Sequence, residues 1–461
     1  MAALLRILFA RPAPSPVTIG LQHLMIVEPL ELEVMAALAG PEDTVRIVDM
    51  ILEKQPIEYF LRQFNPDVFC VTGYITHIPV MTGYCRAAKS LNPDVITVAG
   101  GVHVEKCPDD CSDEAVDFRI VRNATRSFPI LLDWLRNGRI KDLPAGILRN
   151  GEPADAAILP GYDFYFPIPR RDLTKQYRSR YFYVFHDKVA LIKTSFGCPY
   201  QCNFCFCRTI TGDLYFERPM DEVMQELEQI REKEIYIVDD NFLFSPARVR
   251  EFIEELNRRK LDKRFLVYGR ADFIAANPDL VRDFKKAGLR TIIIGLESFN
   301  DDELKSYNKK ILASVNQEAM KVMNDAGVDC YAAIILSPAW EKNDFMLLQE
   351  EMKKLKICFV NLQPLTPLPG TGIAAGDEDL IVDRRSFARW DLAHVTMRPL
   401  KMSLPEYYGM IMLTYTRTLF RWGHLFHHLK YPVYLHWRMM KGVLKVYRQY
   451  RRILKESMDH A

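Results

Sequence analysis

The sequence predicts an α/β protein: a Rossmann-like doubly wound sheet, then a partial (β/α)6 barrel of TIM type, then a helical C-terminal region. Three observations carry this. Short β-rich runs alternate with helical patterns through residues 1–137 and again through 189–375, a stretch rich in Pro and Gly separates the two series at 138–188, and from 376 to 461 the periodicity is helical and aromatic. Strands that alternate with helices pair in parallel, because each crossover helix returns the chain to the same edge.

In the first series the runs are "LLRILFA", "TVRIVDM", "DVFCVTG", "DVITVAGG" and "AVDFRIV". Ligands of doubly wound sheets sit at the carboxyl ends of the strands. Here those ends read "VTGYITH" (71–77), "GGVH" (100–103) and "VRNATRS" (121–127), two of them with glycine where backbone must come close to something. The separator contains "LPAGILRNGEP" and "PGYDFYFPIPRRD" and predicts a hairpin-bearing linker.

The second series runs "VALIKT", "IYIVDD", "RFLVYG", "TIIIGLE", "CYAAIIL" and "CFVNLQPL", with amphipathic stretches such as "MDEVMQELEQIREKE" between them. Six βα units fall short of the eight of a closed barrel and predict an open one, with its chemistry at the strand C-termini.

A length of 461 residues suggests two or three domains, and no apolar run approaches the length of a spanning helix. The opening "MAALLRILFARP" reads as a first strand, since its apolar run is too short for a signal peptide and no small-residue cleavage site follows. These features point to the cytoplasm. Thiols stay reduced there, so clustered cysteines are expected as metal ligands and not as disulfides. The formal charge of +2 hides an asymmetry: from Lys401 onward there are 11 basic against 3 acidic residues, whereas the preceding 400 hold 50 against 56.

Of ten cysteines, four fall in "SFGCPYQCNFCFC" (195–207), after the first strand of the second series. Cys198, Cys202 and Cys205 are spaced CxxxCxxC. Three thiolates in one loop reach a single centre and leave it one ligand short, an arrangement suited to an iron–sulfur cluster that must bind something else. Zinc is the alternative, with Cys207 as the fourth ligand, although structural zinc usually takes two separated CxxC pairs.

The loop resembles the signature of the radical S-adenosylmethionine superfamily, including Phe204 before the third cysteine and "SFGC" leading in. The resemblance implies a 4Fe-4S cluster on Cys198, Cys202 and Cys205, its remaining iron open to the amino and carboxylate groups of S-adenosylmethionine, with Cys207 outside the motif. It also implies that the end of the second strand, "YIVDDNF", binds the methionine amino group, which makes Asp239, Asp240 and Asn241 candidates. Asp-Asp stands where Gly-Gly-Glu is frequent. "GRAD" and "GLES" supply Arg270 and Glu297 as partners for the methionine carboxylate and the ribose, or as ordinary salt bridges at a barrel rim.

The first domain resembles the cobalamin-binding domain that precedes the radical barrel in one subgroup of that superfamily, on the strength of "PDVFCVTGYITH", "KSLNPDVITVAGGVH" and "VDFRIV". Thr72, Gly73, Tyr74, Thr76, Gly100, Gly101, Val102, His103 and Asn123 are thereby candidate cobalamin contacts. No D-x-H-x-x-G occurs, so that motif provides no histidine to the lower face of the cobalt; the resemblance leaves His77 or His103 to approach the corrin, to hydrogen-bond its nucleotide tail or to cap a loop. The loop "VRNATRS" stands where an acidic Gly-Glu run is frequent.

The two resemblances imply methylation of an unactivated carbon. The 5′-deoxyadenosyl radical abstracts a substrate hydrogen, methylcobalamin supplies the methyl group, and a low-potential flavodoxin or ferredoxin supplies electrons. Ring formation or oxidation without methyl transfer is the alternative outcome. "NLQPLTPLPGTGI" resembles relatives acting on bulky apolar molecules such as hopanoids and tetrapyrroles. The substrate is a small molecule, and the basic tail carries no recognisable nucleic-acid module. No residue presents itself as a catalytic acid or base. From Tyr407 to Tyr450 aromatics and aliphatics recur among Arg and Lys. Such a stretch either lies in a membrane interface, giving a peripheral membrane location, or packs on the barrel as a cap with its cations in water.

Overall fold

A computed structural model describes residues 4–137, 143–419 and 430–459. In the first domain β1 (Arg6–Arg11), β2 (Thr44–Asp49), β3 (Val68–Thr72), β4 (Ile96–Gly100) and β5 (Phe118–Ile120) form a parallel sheet in the order β2-β1-β3-β4-β5. Ile7 and Phe9 of β1 join the core on one face, while Leu8 and Ala10 join the core on the other. Burial on both faces is why these strands read as continuous apolar runs. The order reverses between β1 and β3, so a ligand crevice opens at their C-termini. Thr72 pairs with Gly100, and the loops after β3 and β4 therefore leave the sheet side by side.

The linker departs from its expected form. Its segment Ile147–Arg149 is β6, which pairs antiparallel with β5 and completes the first sheet. Ile147 and Leu148 are apolar and the edge of β5 needs partners, so the chain satisfies both at once. The hairpin lies further on, at Phe182–Tyr183 and His186–Asp187, and pairs with Met25–Ile26 from the first domain.

The second sheet contains β7 (Ala190–Ile192), β8 (Glu234–Ile237), β9 (Arg264–Gly269), β10 (Leu289–Glu297), β11 (Asp329–Leu336) and β12 (Phe359–Pro364), each parallel to the next in chain order. Alternate residues such as Ile235, Ile237, Phe265, Val267, Ile292 and Ile294 pack outward against helices. The others, Leu191, Tyr236, Leu266, Ile293 and Tyr331, form the interior with Leu30 and Val34 of the first-domain helix Leu30–Ala36. A partial barrel has an unfilled centre, and the first domain fills it.

Buried charges bolt the same junction. The Glu28 carboxylate accepts the Leu191 N–H and, at 2.5 Å, Arg178 Nη1. Arg171 Nη2 and Arg218 Nη1 donate to the two oxygens of Glu226 at 2.7 and 2.8 Å, and the Thr174 hydroxyl donates to Glu33.

In the C-terminal region Tyr407, Tyr408 and Ile411 of helix Leu404–Leu419 and Tyr450 and Ile453 of helix Val433–Asp459 join the outer core of the barrel. The Tyr415 hydroxyl accepts the Leu362 N–H at 3.0 Å, which covers the edge of β12. One face of the tail is thus a cap, as one of the two expectations held. Residues 420–429, part of the amphipathic stretch, lie outside the described residues.

Candidate active site

The cysteine loop is clamped at its root from the end of β8. Asp239, fully buried, accepts the Thr194 N–H at 2.6 Å, the Thr194 hydroxyl at 2.5 Å and the Ser195 hydroxyl at 2.7 Å. Asp240 accepts the Gly197 N–H at 2.9 Å. Gly197 has φ +79, and a Cβ there would lie 2.0 Å from the Leu214 carbonyl oxygen. Only glycine fits. The far side of the loop is held where Asn203 N donates to Tyr307 O at 3.0 Å and Asn308 Nδ2 to Gln201 O at 2.6 Å.

Cys198, Cys202, Cys205 and Cys207 are all free thiols. Cys207 hydrogen-bonds Cys205, which lowers the Cys205 thiol below its usual range and raises that of Cys207. Burial raises Cys202, and the cations Lys309 and Arg270 oppose that shift. Burial pushes Cys198 up to about 11. Sulfurs around one zinc, each about 2.3 Å from the metal, would stand about 4 Å apart. Among the described residues the trio whose donor atoms all lie within 4.8 Å of one another is His103, Cys107 and Asp110, not the cysteines of this loop.

Arg270 begins its helix against this loop. Its guanidinium lies 3.6 Å from the centre of the Tyr200 ring, Nη1 is 3.7 Å from Cys202 Sγ, and Nη2 donates to Lys309 O at 2.9 Å and pairs with Asp272 at 3.0 Å. Glu297 closes β10 at a register shift with φ +62, a left-handed backbone that a glutamate holds at a cost. Its carboxylate pairs with buried Lys309 at 3.0 Å. Beside these satisfied groups stands Asn241, 2% exposed, whose amide nitrogen and oxygen both lack partners among the described residues. A buried amide with both ends open calls for a polar partner.

Two of the expected contacts have partners within the protein. Asp239 gives its carboxylate to the root of the cysteine loop through three accepted hydrogen bonds. Asn123, with φ 50, donates from Nδ2 to Gly161 O at 2.5 Å and accepts the Asp163 N–H at 3.1 Å, so both ends of its side chain hold the linker. Arg122 stacks on Tyr162 at 4.4 Å and Arg126 pairs with Asp163 at 2.6 Å, which explains why basic residues stand in that loop.

The remaining first-domain candidates gather at the sheet edge. Gly101 has φ +104, and a Cβ there would meet Thr72 Oγ1 at 2.6 Å and Gly73 O at 2.8 Å, so the two loops interlock. His77 Nδ1 accepts the Tyr74 N–H at 3.3 Å and lies 3.4 Å from the hydroxyl of buried Thr76. Val102 opens the helix Val102–Lys106, in which buried His103 bonds Asp110 through Nε2 at 2.8 Å. Burial, with the charges of Asp110 and Asp109, pushes Cys107 up to about 11, so this trio is a hydrogen-bonded corner. Helix Val102–Lys106 packs against helix Cys207–Thr211, which follows the cysteine loop. Tyr74 exposes 59% of its surface, yet it stands within electrostatic reach of Glu31 and Arg11 on one side and Tyr268 and Cys207 on the other. It therefore lies where the TGY and GGVH loops of the first domain approach the cysteine loop of the second.

Lys309, Tyr200, Asp272, Glu31 and Tyr268 were not singled out by the sequence. Tyr200, inside the cysteine motif, and Asp272, the last residue of "GRAD", were the two with a signal.

An α/β sheet of cobalamin-domain order facing an open barrel with a three-cysteine loop defines the class, and the comparisons agree. The B12 binding domain model matches residues 19–132 and the Radical SAM superfamily model residues 192–351. The chain belongs to the cobalamin-dependent radical S-adenosylmethionine enzymes. It is 28% identical to a hopanoid C-3 methylase of Methylococcus capsulatus over 87% of this chain and 78% of that one. It is 24% identical to an anaerobic magnesium-protoporphyrin IX monomethyl ester cyclase of Rubrivivax gelatinosus over 82% and 71%. The fold is that of TsrM, a radical S-adenosylmethionine methyltransferase from Kitasatospora setae solved with cobalamin and a [4Fe-4S] cluster, at 15% identity and TM-score 0.70 over the whole of both chains.

Proposed function

We propose that this enzyme methylates an unactivated carbon of a bulky apolar polycycle of the hopanoid kind. The observation that carries the reading is the packing of helix Val102–Lys106, at the GGVH loop, against helix Cys207–Thr211, at the end of the cysteine loop, which brings the two cofactor loops together. When bound, the cluster with S-adenosylmethionine supplies hydrogen-abstracting one-electron chemistry and the cobalamin a transferable methyl group.

Cys198, Cys202 and Cys205 hold the cluster, and Cys207 keeps its proton. Asn241 and Asp240 take the methionine ammonium, with a carboxylate and an amide oxygen as acceptors. Arg270, anchored by Asp272 and stacked on Tyr200, presents its cation to the methionine carboxylate, and Glu297 faces the ribose. Thr72, Gly73, Tyr74, Thr76, Gly100, Gly101, Val102 and His103 form the cobalamin wall. Leu30 and Val34 close the base of the barrel and keep water from below. A low-potential flavodoxin or ferredoxin supplies electrons, and the C-terminal region meets a membrane.

The similarity to a cyclase makes ring formation the second reading, although the hopanoid C-3 methylase is the more similar, at 28% identity over 87% of this chain against 24% over 82%. Reconstituted enzyme incubated with a hopanoid and S-adenosylmethionine carrying a labelled methyl group is expected to transfer the label to carbon and to release both S-adenosylhomocysteine and 5′-deoxyadenosine. Product without label would favour the second reading.

A further inference from the structure

The terminal helix Val433–Asp459 has two apolar faces and needs one for packing. Leu435, Gly442, Tyr450 and Ile453 are buried, and a Cβ on Gly442 would lie 2.1 Å from the His23 carbonyl oxygen. A second line of large apolar side chains points away from the protein: Val433 is 71% exposed, Trp437 62%, Met440 52%, Leu444 50% and Tyr447 43%. Their spacings of four, three, four and three residues keep them on one strip of the helix. At about 100° per residue they fall within about 80° of arc.

Charge borders the same strip. Lys441, Lys445, Arg448 and Arg451 are exposed, and among the described residues none of them pairs with a carboxylate. Lys441, Lys445 and Arg448 lie on one flank, and Arg451 continues the line of the strip. Between Val433 and Met458 the helix carries seven Lys and Arg against the single acid Glu456. A soluble helix does not gain from five large apolar groups in water, and a contiguous exposed patch marks a contact surface. Cations on the flank select an anionic partner. Trp and Tyr within the strip suit the boundary between headgroups and acyl chains.

We propose that this face docks on an anionic lipid surface, with Trp437 and Leu444 inserted below the headgroups and Lys441, Lys445 and Arg448 among the phosphates. The inference rests on the surface and stands independently of the proposed substrate. If the substrate is an apolar polycycle, the docked enzyme meets it where it dissolves.

The test is flotation of the full-length holoenzyme with vesicles of phosphatidylcholine containing one third phosphatidylglycerol, at low and high salt, beside vesicles of phosphatidylcholine alone. Co-flotation is expected with the anionic vesicles at low salt and is weakened by salt. It should fall about tenfold or more in a Trp437→Glu/Leu444→Glu variant and in a Lys441→Glu/Lys445→Glu/Arg448→Glu variant, both retaining iron and cobalamin. A blue shift of tryptophan fluorescence on anionic vesicles, absent in Trp437→Phe, reports insertion without a disruptive substitution. No co-flotation at low salt, or equal flotation by the apolar variant, overturns the proposal. A wild-type dimer that the apolar variant turns into a monomer, without vesicle binding by either, assigns the strip to a second copy of the chain and overturns it as well.

Discussion

The carboxylate of Asp239 takes both the N–H and the hydroxyl of Thr194, at 2.6 and 2.5 Å, and so ties the end of the second barrel strand to the root of the cysteine loop. Asp239→Ala leaves buried donors without an acceptor, a cost of roughly 3 kcal/mol. The variant is expected to lose most of its iron after anaerobic reconstitution while binding cobalamin as the wild type does. Iron content equal to wild type would show that the loop holds itself.

Replacing Cys198, Cys202 or Cys205 by Ala is expected to remove the cluster, measured as iron per chain and as visible absorption, from a wild-type content of about four irons. Cys207→Ala should keep the iron. Stoichiometric zinc in protein prepared without oxygen would contradict the assignment.

The two adjacent glycines after β4 should respond differently. A Cβ on Gly101 meets Thr72 Oγ1 at 2.6 Å in a backbone with φ +104, whereas one on Gly100 finds its nearest neighbour, Ile120 Cβ, at 4.0 Å. Gly101→Val is expected to abolish cobalamin binding with the cluster intact, and Gly100→Ala to reduce it little. Absorbance of bound cobalamin after gel filtration measures both.

Burial, aided by Arg11, pushes the His77 imidazole down to about 4. The folded protein holds this ring neutral while the unfolded chain protonates it near 6.5, so the unfolded state binds the extra proton. Stability from this group is complete above about pH 6.5 and is lost progressively as pH falls towards 4. His77→Asn should flatten that part of the profile of Tm against pH, and a ring NMR signal titrating near 6.5 in the folded enzyme would refute the shift.

Much of the architecture was legible because parallel strands covered on both faces leave uninterrupted apolar runs, and the six barrel strands were readable for that reason. The cysteine motif was legible because its spacing is local. The roles of Asp239 and Asp240 were not. Neighbouring residues at a strand end diverge, and which of them turns inward depends on a parity that only the packed sheet fixes. Asn123 has the residue type of a ligand contact, and its hydrogen-bond partners within the chain, Gly161 and Asp163, lie some forty residues on in an irregular segment. The pairing of Lys309 with Glu297 spans twelve residues with no periodic signal, and β6 is a strand of three residues that sheet pairing alone defines.

The buried carboxylate of Glu28, shared between Leu191 and Arg178, also decides how reactants come and go. Swinging the domains apart would leave that charge and its arginine in a dry interface, at a penalty of several kcal/mol, and would pull Leu30 and Val34 out of the barrel. The enzyme accordingly works as a fixed chassis. Exchange of reactants is therefore expected to proceed without a swing of one domain away from the other.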